Sequence, residues 1–99
     1  MNFGRVYNWK NIYVDYTNEA KEDIRKLKNT GNKILINKLK KLLKELKLHP
    51  KTGTGKVKFL KHKKRWSRRI NDEHRLVYKI KDDVVVVLVL SAFGHYEDN

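Results

Sequence analysis

Residues 75–90 read RLVYKIKDDVVVVLVL. Residues 75–80 alternate, with Leu76, Tyr78 and Ile80 on one side and Arg75, Val77 and Lys79 on the other. That is the period of a strand with one buried face. Lys81, Asp82 and Asp83 form a tight polar turn. Residues 84–90 are apolar throughout, and seven residues are too few to cross a membrane as a helix. A short continuous apolar run predicts a strand buried on both faces, and hence a central one.

The same reading extends backwards. Residues 66–70 are a second strand, joined to residue 75 through the turn Asn71-Asp72-Glu73. Residues 56–60 are a further candidate strand, with Val57 and Phe59 facing inward. Residues 51–55 are a loop with two glycines. Ahead of Pro50 the apolar period changes from 2 to 3.6. Leu35, Leu39, Leu42 and Leu46, supported by Ile36 and Leu43, mark a helix from about Asn32 to Leu48. Six lysines fill its other faces, and solvated lysines on an amphipathic helix are the simpler reading of them. Asn29-Thr30-Gly31 closes an earlier helix that Thr17 or Asn18 caps. Ala20, Ile24 and Leu27 form its stripe, and Glu19, Glu22 and Asp23 suit its positive N-terminal end. Residues 12–16, IYVDY, are a strand with Ile12, Val14 and Tyr16 on one face. Residues 1–11 show no clear period and read as an N-terminal extension to a single domain, 12–99. The predicted order is β-α-α-β-β-β: an α+β domain with a helical hairpin packed on one face of a mainly antiparallel sheet.

The chain has 99 residues, with 24 Lys and Arg against 11 Asp and Glu, a formal charge of +13. Both halves carry twelve basic residues, so the excess is spread along the chain. A polyanion would relieve the self-repulsion, which points to nucleic acid or the ribosome, or to an acidic protein partner. There is no cysteine, which excludes disulfides, thiolate metal sites and cysteine nucleophiles and fits a reducing cytoplasm. No apolar segment near the start reads as a signal peptide.

Residues 51–69 hold nine basic residues and no acidic one. Lys56 and Lys58 fall on one strand face, and aromatic residues interleave the run. Phosphates on cations and bases on rings would suit single-stranded RNA. Trp66, Tyr78 and Phe59 as core is the simpler reading. The four histidines lack metal-ligand spacing and residues 51–56 lack the order of a phosphate loop, so no metal or cofactor is expected. Glu73, Arg75, His95 and Tyr96 are the one catalytic constellation. A base that deprotonates the 2′-hydroxyl, a cation on the crowded phosphate and an acid for the leaving oxygen are what RNA cleavage by its own 2′-oxygen requires.

The run Trp66-Ser67-Arg68-Arg69-Ile70-Asn71-Asp72-Glu73-His74-Arg75-Leu76-Val77-Tyr78 is long and specific. With Gly55-Lys56, Leu60-Lys61-His62 and the closing Ser91-Ala92-Phe93-Gly94-His95-Tyr96, it resembles the Txe/YoeB toxins of bacterial toxin–antitoxin modules, within the RelE/ParE group. The resemblance implies an endoribonuclease that cleaves mRNA in the ribosomal A site. It also implies a cognate YefM-type antitoxin, and makes a homodimer plausible. Arg75 and His95 match the family's catalytic pair and Tyr96 its terminal tyrosine, while Lys56, Lys61, Arg68 and Arg69 would hold RNA backbone. One departure matters: the family's usual Gly-Lys-Pro-Glu is Gly55-Lys56-Val57-Lys58 here, so Lys58 stands where the general base is expected. Lys58 could serve as base with a depressed pKa, or Glu73 or His95 could take that role. The third reading is a toxin fold that binds ribosome or antitoxin without cutting. A gyrase-directed toxin of the ParE kind is a rival on the same fold.

Overall fold

A computed structural model describes residues 12–81 and the backbone of 86–94, with side chains again from residue 92. Strand β1 (Tyr13–Tyr16) leads into helix α1 (Asn18–Asn29), whose N-cap Thr17 accepts a hydrogen bond from the Ala20 amide at 3.0 Å. Gly31, at φ +72°, turns the chain, and Asn32 caps helix α2 (Lys33–Leu46) by accepting from the Leu35 amide at 3.1 Å. Strands β2 (Lys58–Leu60), β3 (Arg65–Arg69), β4 (Arg75–Lys81) and β5 (Val86–Ser91) follow. Four strands therefore follow the hairpin, one more than the predicted order counts. The marginal segment before residue 60 does form a strand, but only three residues of it. The sheet order is β1-β5-β4-β3-β2, with β1 and β5 parallel and every other pair antiparallel. β5 thus pairs on both edges, as its apolar run predicts. The N-terminal extension, the 82–85 stretch, His95 and Tyr96 lie outside the described residues.

The core forms where the leucine stripe of α2 meets one sheet face. Leu35, Leu39, Leu42 and Leu46 are buried with Ala20, Leu27, Leu76 and Tyr78, and Val14, Tyr16, Ile24 and Trp66 pack against them. Asp23 also lies on the α1 stripe, and it is buried rather than solvated at the helix start. Phe59, expected inside, is 45% exposed. Lys56 adopts φ +51° in the loop ahead of β2, so it does not share a strand face with Lys58.

Arg68, expected as an RNA contact, is instead fully buried. Directly paired residues share a sheet face, and Arg68 pairs with Leu76 on the helix side. Its Nε donates to the Tyr78 hydroxyl at 3.1 Å and its Nη1 to Glu45 Oε1 of α2 at 2.9 Å. Its Nη2 donates to the His49 carbonyl and, at 2.8 Å, to the Thr52 carbonyl. The Tyr78 hydroxyl donates in turn to the Pro50 carbonyl at 2.7 Å. Glu45 also accepts from the Thr54 amide at 2.8 Å and hydroxyl at 2.7 Å. The loop after α2 is thereby tied to both layers. It approaches so closely that a Cβ on Gly53 would sit 2.6 Å from Glu45 Oε1, and one on Gly55 would sit 2.8 Å from the Arg69 carbonyl.

Two stability predictions follow from this network. Arg68→Met should lose about 3 kcal/mol in urea unfolding, as breaking a buried pair does, whereas Lys61→Met should stay within about 0.5 kcal/mol. The Thr54 hydrogen bonds, and then Arg68, hold the Glu45 carboxyl below its ordinary 4.5. The folded state thus binds this proton less readily than the unfolded chain. The stabilisation is complete above about pH 4.5 and declines as pH falls toward the lower folded pKa. A Glu45→Gln variant should show a shallower loss across that acid window, measured by urea unfolding at successive pH values.

Candidate active site

The sheet face away from the helices carries the catalytic candidates. Lys58 pairs with Ser67, Ser67 with Val77, and Arg69 with Arg75. By strand alternation all five point to that face. Arg75 is buried and its Nη1 donates to the buried Ser67 Oγ at 3.4 Å. Lys58, on the edge strand, is exposed beside them. Arg69 is partly exposed, with its guanidinium 3.8 Å from Asp72. The register thus sets a buried guanidinium, a hydroxyl and an exposed lysine at neighbouring positions of one face, an arrangement suited to a phosphate.

Glu73 does not continue the alternation. It sits in the turn ahead of β4, its side chain 82% exposed and 3.9 Å from His74 Nε2. Lys61 lies in the turn between β2 and β3. Arg68, on the opposite face, is unavailable to a ligand.

Residues 92–94, which precede His95 and Tyr96 in the chain, are held by contacts that sequence reading misses. A register shift sets Ser91 opposite Val77 and Val89 opposite Tyr78, so the ladder skips Leu90. Such bulges redirect a strand and gather at active sites. Beyond it, Asp23 Oδ2 accepts from the Ala92 amide at 3.1 Å. The Phe93 ring lies 4.4 Å from the His74 ring, with Lys26 Nζ 5.3 Å from its centroid. His74 Nδ1 accepts from the Gly94 amide at 3.1 Å, and the Gly94 carbonyl accepts from the Arg75 amide at 3.1 Å. Ala92, Phe93 and Gly94 are each anchored, and Gly94 lies against Arg75. The accepting Nδ1 puts the neutral ring's proton on Nε2, toward Glu73. Two signals pointed here: an aspartate on an apolar helical stripe, and a histidine inside the motif next to Arg75.

Among the described residues no three His, Asp or Glu side chains come together to hold a metal ion. None of the described helices is long and apolar enough to cross a membrane. His74→Ala removes the Gly94 acceptor. Amide hydrogen exchange should then quicken at Gly94, while the β3–β4 ladder amides keep their protection.

Comparison with known proteins places these observations in a family. Residues 16–96 match the family model of the YoeB-like toxin of bacterial type II toxin–antitoxin systems. The chain is 40% identical over 67 residues to toxin YoeB of Escherichia coli K12, covering 66% of this chain and 77% of that one. Its fold is similar to a YoeB/ParE toxin from Agrobacterium tumefaciens, with TM-score 0.77 and 29% identity, over 86% of this chain and all of that one. It is also similar to a chain of the heterotetrameric YoeB–YefM toxin–antitoxin complex of Staphylococcus aureus, with TM-score 0.70 and 32% identity, over 86% and 98% of the two chains.

Proposed function

The chain belongs to the YoeB-like toxins of bacterial type II toxin–antitoxin systems, and on that premise we propose that it is a ribosome-dependent endoribonuclease that cuts mRNA in the A site. The reading is carried by one observation: Arg75 is buried on the helix-free face beside Ser67, Lys58 and Arg69, with the Gly94 carbonyl on its amide.

In this mechanism the RNA's 2′-hydroxyl loses its proton and the oxygen attacks the adjacent phosphorus. The P–O5′ bond breaks and the 5′-oxygen takes a proton. The products are a 2′,3′-cyclic phosphate and a 5′-hydroxyl. Arg75 offsets the charge that builds on the phosphorane, and its fixed position means that little reorganisation is needed. Lys58 is exposed to water, the setting of a phosphate-binding cation rather than of a desolvated base. Proton transfer falls to His95, which follows the anchored Gly94 in the chain, with Glu73, exposed in the turn ahead of β4, as the alternative. Tyr96 orients the nucleotide. Lys56, Lys61 and Arg69 hold the RNA backbone, and no metal is required because the nucleophile belongs to the substrate.

The partner is a YefM-type antitoxin whose acidic segment neutralises the basic surface, as the Staphylococcus aureus relative is solved in complex with YefM. That relative's dimer makes a homodimer the proposed assembly. The work of such a toxin lies in the cytoplasm, with the ribosomes. Lys58 in the position of the family's glutamate favours one second reading, a toxin that binds without cutting.

Both readings meet the same test. The purified chain is added to ribosomes programmed with a defined mRNA, and the new 5′ ends and the terminal phosphates are mapped. Cuts in the A site with cyclic phosphate ends are expected. Arg75→Ala, checked for folding by circular dichroism, should lose at least about a hundredfold in rate, as when a transition-state donor is removed. Binding without cuts would leave the second reading.

A further inference from the structure

A groove of about 730 Å³ opens at the β2 edge, away from Arg75. Phe59 and Trp66 lie in it, on the sheet face that carries the helices, their ring centroids 5.0 Å apart and their planes tilted by 52°. Lys51, Lys61 and Lys64 rim the groove, Ile80 and Lys79 of β4 complete its lining, and none of the described residues that line it is acidic. Phe59 is 45% exposed, a large apolar ring left in water at a basic rim. Lys64 closes its turn at φ +53°, where glycine or asparagine would cost less. The turn tolerates that strain and keeps an ammonium at the rim.

Charge alone would fit any polyanion. The rings decide between them: a carboxylate chain has no use for an open aromatic face, whereas a nucleobase stacks on one while its phosphates meet lysines. β2 is an edge strand of three residues, and its successive side chains point to opposite faces. Lys58 therefore faces the catalytic side and Phe59 the groove, one residue apart. A flexible single strand that leaves Lys58 over this open edge arrives at Phe59.

We infer that this groove is a second RNA subsite, which holds single-stranded RNA flanking the cut phosphate by stacking a base on Phe59 and pairing phosphates with Lys61 and Lys64. The choice of RNA rests on the nuclease reading above. The subsite would add affinity outside the reacting nucleotides.

Fluorescence anisotropy with a labelled, fully 2′-O-methylated RNA of about twelve nucleotides measures binding without cleavage, at a length within known single-strand site sizes. Phe59→Ala should weaken binding about tenfold, the loss of one stacked base. Phe59→Tyr should restore it and Phe59→Leu should not. Lys61→Gln with Lys64→Gln should reduce the slope of log affinity against log salt by about 1.4, since each single-strand phosphate contact contributes about 0.7. Phe59 is exposed, so its variants should melt with the native chain. Native affinity in Phe59→Ala and a native salt slope in the double variant would overturn the inference. So would an Asp/Glu-rich peptide whose binding depends on Phe59 while that of RNA does not. Cleavage of unmodified mRNA is read separately. Phe59-dependent binding without cleavage sinks the nuclease reading and keeps the groove, and cleavage with Phe59-independent binding sinks the groove alone.

Discussion

The buried guanidinium of Arg68 is the interaction on which the arrangement of this molecule depends. Its donors reach α2 through Glu45, the sheet through Tyr78, and the loop after α2 through the His49 and Thr52 carbonyls. The α2 leucines, with Ala20 and Leu27 of α1, are buried against Leu76 and Tyr78, but packing alone is non-directional. The fork geometry of an arginine sets which carbonyls meet it. It thereby sets where residues 51–56 lie and where β2 begins. A charge buried in this way is costly to leave unpaired, so the network also ties helices and sheet into one unit.

That division leaves the two sheet faces with different work. The helix face is closed by leucines and by the Arg68 network. Among the described residues no helix covers the other face, and there the strand register gathers Lys58, Ser67, Arg69 and Arg75. Two neighbouring arginines of one motif therefore have opposite fates. Arg68 points into the core and Arg69 out of it, which is the ordinary consequence of the two-residue strand period. The C-terminal end of the sheet is held by the same economy of contacts. One buried aspartate from α1 holds Ala92, and one histidine from β4's entrance holds Gly94, whose carbonyl meets the Arg75 amide.

Much of this was legible beforehand where periodicity was strong. The leucines of α2 and the alternation through Leu76, Tyr78 and Ile80 predict both layers, and the long motif around Arg75 identifies the family. The errors share a cause. Arg68 and Phe59 are placed by composition or by simple alternation, and their true settings depend on partners distant in sequence. Glu45 lies 23 residues from Arg68 and is one of four groups that make its burial tolerable. Phe59 is exposed because β2 is an edge strand of three residues beyond the reach of the helices. Glu73 falls in a turn, where alternation no longer applies. Asp23 is assigned only to the helix start, and His74 to no role, because each accepts from a backbone amide far away in sequence.

The position of Lys58 carries the chemical weight of the account. A carboxylate there would accept a proton; an ammonium binds phosphate. A working nuclease with this residue must divide charge stabilisation and proton transfer differently from its relatives. The direct measurement is cleavage of a defined mRNA on programmed ribosomes by the native chain beside a Lys58→Glu variant, with 5′ ends mapped for both. The account predicts A-site cuts by the native chain, ending in cyclic phosphate. Cutting by Lys58→Glu alone would contradict it and identify the native chain as a binding protein on a nuclease fold.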